Sequence, residues 1–323
     1  MENKGVLIYV EQEGGRVHPI CYELLGKGRE LADKTGSKVS CALLGSGVAD
    51  AAQNLVAYGA DTVYVFDDES LATFDPLAHK QNLVSLLSEV QPAVVMFGAT
   101  LTGKALAPRV ATALEAGLTS NCTALELQAD GSLLQVRPAF TGNFLAHVKT
   151  RSAMTMVSVR YRALEAGQKD ESRKGDIIKK DVEKTDSGVK VLGKGEAKPA
   201  NIAGADVIVC AGRGLKKAED LDLVQQLADA LGGVVGATRP LVDDGWISKD
   251  HQVGFSGTIV KPKLYVGVGV SGSPQHLAGI RDSGTIVAIN SDPSVALFRI
   301  ADYALVGDLY EVIPQMVDLL KKK

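Results

Sequence analysis

Residues 262–280 read PKLYVGVGVSGSPQHLAGI. The apolar run KLYV gives way to glycines and serines, and a stretch able to form a helix follows, with Gln275 and His276 near its start. A turn between a strand and a helix built this way gathers backbone N–H groups, two hydroxyls and an imidazole, a set suited to phosphates and redox rings. Gly267, Gly269 and Gly272 satisfy G-x-G-x-x-G, and Asp292 follows 20 residues after Gly272. On spacing alone this is a dinucleotide fingerprint with its ribose-binding acid, and a nicotinamide-dependent dehydrogenase is one reading of it.

Moving outward, DVIVCAGRG (206–214) is another buried strand entering a glycine turn, and Val224, Leu227, Ala228 and Leu231 mark a helix face. TIVAINSDP (285–293) and YALVGDL (303–309) continue the pattern, and EVIPQMVDLLKKK reads as a last helix with lysines at its C-terminal end. Five turns share one composition: GRG (212–214), GATRP (236–240), QVGFSG (252–257), GVSGSPQH (269–276) and VGDL (306–309). Turns at the carboxyl ends of parallel strands converge on one crevice, and so many of them suit a large extended ligand.

The first hundred residues show the same alternation. VLIYV (6–10), VSCALL (39–44), TVYVF (62–66) and AVVMF (93–97) are short, continuous apolar runs, as expected of strands buried on both faces. Between them, Ala52, Leu55, Val56 and Gly59, then Leu83, Leu86, Leu87 and Val90, fall at helical spacing. A further helix is expected over 103–117, kinked or shortened at Pro108, followed by strands between 119 and 161. Residues 169–198 mix charges of both signs with few apolar side chains, which predicts a solvated connector holding a strand or two. The expectation is an α/β chain of two domains, 1–198 and 199–323, each with a mainly parallel sheet flanked by helices.

Composition narrows the function. A net charge of −3 gives no basic field for nucleic acid. No apolar run is long enough for a signal peptide or a membrane span, so no membrane insertion and a cytoplasmic location are expected. Cys21, Cys41, Cys122 and Cys210 are widely spaced, with no C-x-x-C pair, and no His or carboxylate cluster predicts a metal. Asp67–Asp68 and Asp243–Asp244 read as turn or cap acids, and GSG (45–47) as a plain strand-to-helix turn. His18, His79, His147 and His251 receive no assignment.

The run QVGFSGTIVKPKLYVGVGVSGSPQHLAGIRDSGTIVAINSDPSVALFRIADYALVGDL, with GRGL, ATRPLVDDGW, GLTSNCT and RPAFTGN upstream, resembles the electron transfer flavoprotein alpha subunit family over nearly the whole chain. The resemblance implies a Rossmann-like FAD-binding fold in the C-terminal domain and a heterodimer with a beta subunit, docked by the N-terminal domain. It implies a redox carrier rather than an enzyme with its own small-molecule turnover. Electrons would come from an acyl-CoA or other flavin dehydrogenase and pass to an acceptor such as a quinone oxidoreductase or ferredoxin. An alpha subunit of an NADH-dependent electron-bifurcating complex is the alternative.

By motif, Arg213 and Asp308 would lie near the adenosine and diphosphate half of FAD, and Asn290 near the adenine-side phosphate or ribose. Thr238 and Arg239 would approach the flavin. Gln252, Val253, Gly254, Phe255 and Ser256 would pass along the isoalloxazine, with the Ser256 hydroxyl near its N5 edge. Ser271, Gly272, Ser273, Pro274, Gln275 and His276 would wrap the ribityl–diphosphate and pyrimidine region. Phe255 departs from the family's usual glutamine, and Pro274 from its usual aliphatic or small residue.

Reduction places negative charge on the flavin N1–C2=O edge, where a cation or donor raises the potential. Arg239, Ser256 and His276 are the candidate tuning residues, His276 as either a charge or a neutral donor. Plainer roles stand beside these: a local backbone bond for His276, a surface ion pair for Arg239, and helix capping for Ser271 and Ser273.

Overall fold

The apolar runs become strands whose successive side chains enter opposite cores. In the computed structural model, which describes residues 5–139, 144–193 and 202–322, β1 (Val6–Val10) is buried at all five positions. Val6, Ile8 and Val10 enter one hydrophobic cluster, and Leu7 and Tyr9 enter another. A strand between two cores has no polar face, which is why the run is continuous rather than alternating.

The chain forms two compact units, dividing between residues 192 and 193. Residue 198, where the sequence reading set the boundary, lies outside the described residues, as do the last four residues of RPAFTGN. In the first unit, β2 (Gln12–Glu13) and β3 (Arg16–Val17) form a small antiparallel ribbon. β4 (Val39–Gly45), β5 (Thr62–Asp67), β6 (Val94–Gly98) and β7 (Gly117–Cys122) belong to the main sheet. β8 (Ala124–Leu127), β9 (Leu133–Ala139) and β10 (Phe144–Lys149) make a separate antiparallel meander. β11 (Thr155–Val159) and β12 (Asp176–Lys179) return to the main sheet, whose order is β12-β5-β4-β1-β6-β11-β7, parallel throughout.

The helices are α1 (Ile20–Thr35), α2 (Ala49–Ala57), α3 (Pro76–Val90) and α4 (Leu101–Ala113). Leu24, Leu25, Leu55 and Val56 cover one face of the sheet; Leu83, Leu86, Leu87 and Leu106 cover the other. The helix expected over 103–117 is therefore α4, displaced toward the N-terminus. Thr100 caps its start, with its hydroxyl accepting from Gly103 N at 3.0 Å. Its end is closed by Ala116 N donating to Ala111 O at 2.9 Å, with Glu115 in the left-handed region at φ 50°. Pro108 lies inside α4 and does not end it. The charged connector contributes β12, exposed at all four positions and paired to β5 at the sheet edge.

The second unit contains β13 (Val207–Ala211), α5 (Leu221–Ala230), β14 (Val234–Ala237), α6 (Arg239–Asp243), β15 (Leu264–Val268), α7 (Pro274–Ala278), β16 (Thr285–Asn290), β17 (Tyr303–Val306) and α8 (Leu309–Leu320). Its sheet runs β14-β13-β15-β16-β17, again parallel throughout. Val224, Leu227 and Ala228 of α5 and Ile313 and Val317 of α8 pack on Val209, Val266 and Ile289. The opposite face, with Ile208, Cys210, Tyr265 and Ala288, is covered by Val253, Val260, Ile280 and Leu297 from turns and loops. Among the described residues no helix is long and apolar enough to cross a membrane.

Candidate functional site

The strand order of the second unit sets the location. β14 flanks β13 on one side while β15 and β16 extend on the other, so the order in which strands are added reverses at the β13–β15 pair. Such a switch point opens a crevice at the strands' carboxyl ends. The turns after these two strands meet backbone to backbone: Gly212 N donates to Val268 O at 2.9 Å, and Gly214 N to Gly269 O at 3.0 Å. Gly269 has φ 62°, and a Cβ there would lie 2.7 Å from Gly214 Cα. Only glycine meets both conditions.

Every sequence-predicted site residue falls on this end of the sheet. Arg213 follows β13, Thr238 and Arg239 follow β14, Ser271 to His276 follow β15, Asn290 ends β16, and Asp308 follows β17. The 252–256 segment joins them because Val253 N donates to Ala237 O, the last residue of β14, at 2.9 Å. Thr238 and Ser273 occupy the N-cap positions of α6 and α7, and neither side chain makes the capping bond. Those hydroxyls stay available to a ligand, whereas a capping serine or threonine spends its oxygen on the helix.

Other candidates already carry structural duties. Arg239 is exposed and pairs with Asp243 at 3.0 Å across one helical turn, which is the plainer of its two expected roles. Asn290 donates from Nδ2 to Val270 O at 3.1 Å and accepts from Asp292 N at 3.0 Å. Asp308 caps α8 by accepting from Tyr310 N at 2.9 Å. Asp308→Ala is expected to lower stability by about 1 kcal/mol in denaturant titration, the usual cost of a lost N-cap.

The 252–257 loop is anchored from inside. Gln252 is buried and donates to Ser256 Oγ at 3.0 Å. Phe255 N donates to Gln275 O at 2.8 Å, while the Phe255 ring is 50% exposed. An exposed phenyl beside the crevice has apolar area to give to a flat ring.

His276 makes the local backbone bond that is the plainer of its expected roles. It is buried, with Nε2 2.6 Å from Tyr265 Oη and Nδ1 3.1 Å from Val253 O. Burial pushes its pKa down to about 4, only partly opposed by the bond to Val253. Burial therefore favours the neutral ring, and both nitrogens are engaged within the protein. Tyr265 escaped the sequence reading because an aromatic in an apolar run signals only burial.

The nicotinamide fingerprint fares less well. Gly267 lies within β15, α7 has only five residues, and the Asp292 carboxylate accepts from Ser294 N at 2.8 Å and Ser294 Oγ at 2.6 Å. Asp292 is thereby the acid of its own turn. Asp67 and Asp68 act likewise, accepting from Gly47 N and Ser70 N. Burial pushes the Cys21 and Cys210 thiols up to about 12 and Cys122 to about 11, which removes them as nucleophiles. Among the described residues no group of three metal-ligating side chains occurs.

A flavin dinucleotide fits these residues in chemical terms. The site offers backbone N–H groups in glycine turns, uncommitted hydroxyls at Thr238 and Ser273, the exposed cation of Arg213, and the apolar Phe255. Polyanionic diphosphate and a flat apolar ring need those two kinds of surface on one rim.

Comparison with known proteins gives the same direction. Residues 6–185 match the family described as electron transfer flavoprotein domain, and residues 201–281 match the electron transfer flavoprotein FAD-binding domain. The electron transfer flavoprotein subunit alpha of Thermoanaerobacterium thermosaccharolyticum is 42% identical over 99% of this chain and 98% of its own length. The lactate dehydrogenase (NAD(+),ferredoxin) subunit LctC of Acetobacterium woodii is 38% identical over 98% of this chain and 77% of its own length. The electron transfer flavoprotein subunit alpha of Megasphaera elsdenii is 37% identical over 100% of this chain and 98% of its own length.

Proposed function

The chain belongs to the electron transfer flavoprotein alpha subunit family, and on that premise we propose that it carries FAD at the carboxyl ends of β13–β17 and relays electrons between two protein partners. The observation that supports this most is the convergence of five turns, the 252–257 segment among them, on one end of one parallel sheet. FAD, when bound, supplies a ring that takes up and releases one or two electrons. The protein's part is to hold and orient it. Backbone N–H groups of residues 213 and 271–273, which the crossing of Gly212, Gly214 and Gly269 leaves facing the crevice, receive the diphosphate together with the side chains of Ser271, Ser273 and Arg213. Thr238, Arg239 and Ser256 face the ring's polar edges, and Phe255 covers apolar surface.

Arg239 and Ser256 are the candidates for raising the potential, beside a His276 whose burial favours the neutral ring. The first unit serves to dock the beta subunit. Donor and acceptor are flavin dehydrogenases and other redox proteins rather than small molecules.

A second reading has a specific basis. The relative from Acetobacterium woodii carries NAD(+) and ferredoxin in its name, which supports membership in an NADH-linked electron-bifurcating complex. Co-purification with the beta subunit, FAD reconstitution and a flavin count separate the two. One flavin per heterodimer is expected of the simple carrier. Two flavins with NADH-driven ferredoxin reduction support bifurcation, and no flavin absorbance contradicts both.

A further inference from the structure

Tyr265 lies on β15 and has no part in the account of FAD binding above. Its side chain is fully buried, and its hydroxyl lies 2.6 Å from His276 Nε2. On the far side of the same imidazole, Nδ1 lies 3.1 Å from the Val253 carbonyl oxygen. A carbonyl only accepts, so Nδ1 carries the proton. The neutral ring then has a bare Nε2, and the Tyr265 hydroxyl donates to it. The two contacts select one tautomer.

They also join three separated pieces of chain: a central strand, the 252–258 loop and α7. The backbone reinforces the joint. Phe255 N donates to Gln275 O at 2.8 Å and Gly254 N to Thr258 O at 3.0 Å. A Cβ at Gly279 would come within 2.4 Å of Gly254 Cα, so helix end and loop are in direct contact. A water-excluded imidazole that loses one partner keeps an unsatisfied nitrogen, which gives the Tyr265 hydroxyl leverage over the loop.

We propose that Tyr265 is a positioning residue of the FAD site. It donates to Nε2 of the Nδ1–H imidazole and so holds the 252–258 loop at a set distance from the 269–276 turn, the two segments that would flank the flavin. This rests on the FAD reading above. Tyr265 acts through His276 and touches no ligand.

The test uses the full alpha–beta complex with ¹⁵N-labelled histidine, and the His276 resonance is assigned by its loss in His276→Gln. Long-range ¹H–¹⁵N spectra at neutral pH are expected to show the Nδ1–H tautomer in the wild type, with and without FAD. In Tyr265→Phe the Val253 carbonyl is expected to keep the proton on Nδ1 while the Nε2 ¹⁵N resonance moves to that of an unbonded nitrogen, and the FAD dissociation constant is expected to rise roughly tenfold. A wild-type Nε2–H ring or imidazolium overturns the proposal, and this measurement needs no variant to fold. Tyr265→Phe with the wild-type FAD affinity overturns it as well. Failure of the FAD reading looks different, because the wild-type complex itself then binds no FAD.

Discussion

Gly269→Val is expected to abolish FAD binding and to destabilise the second unit by several kcal/mol. Two costs coincide at this residue. Its φ of 62° lies in the left-handed region, where a β-branched side chain costs on the order of 1–2 kcal/mol. A Cβ would also meet Gly214 Cα at 2.7 Å and Gly214 N at 3.0 Å, backbone atoms that cannot swing aside as a side chain would. Overpacking of this kind typically costs about 1–3 kcal/mol more. The turns after β13 and β15 would then separate, and their N–H groups would no longer face one diphosphate. Denaturant unfolding and FAD titration of the purified complex read the two effects separately. A variant that keeps wild-type stability and flavin content would show that this crossing does not form the floor of the site.

The second large effect is on acid stability. His276 has a folded pKa of about 4 because burial disfavours its charge, against roughly 6.5 for an exposed histidine. The folded state binds fewer protons at this site than the unfolded state between those values. Stability is therefore complete above pH 6.5, falls as pH drops, and levels off below about pH 4. The full loss corresponds to about 3 kcal/mol. Unfolding free energies of wild type and His276→Gln, measured from pH 7 to pH 4, should diverge in slope by that amount. Parallel pH profiles would mean that the imidazole is not held neutral in the fold.

Strands and long helices were legible because their burial is written in local spacing. VLIYV is continuous since β1 lies between two cores, and Leu83, Leu86 and Leu87 share one helical face. Short elements carry no such signal. α6 and α7 have five residues each and the β2–β3 ribbon two per strand; tertiary contacts, not periodicity, stabilise pieces of that length. The charge of His276 was illegible for a similar reason. It depends on Tyr265, 11 residues back, and on Val253, 23 residues back, which meet it only after the sheet has assembled. The glycine fingerprint misled because Gly269 and Gly272 are needed for close backbone approach to Gly214 and Leu297 whatever the nucleotide, Gly267 lies inside β15 against side chains, and Asp292 is consumed by Ser294. The fold was thus readable from pattern, and the gathering of Thr238, Ser256 and Ser271 from family motif. The electrostatic state of the gathered groups required the packing itself.

The central claim is that FAD lies across the carboxyl ends of β13 and β15. Its most direct test is an experimental structure of the alpha–beta complex reconstituted with FAD. The account predicts dinucleotide density running from the 212–214 turn past Ser271 and Ser273 to the 252–256 loop, with the flavin ring against Phe255. A reconstituted complex with that crevice empty, or with flavin density confined to the beta subunit, would contradict it.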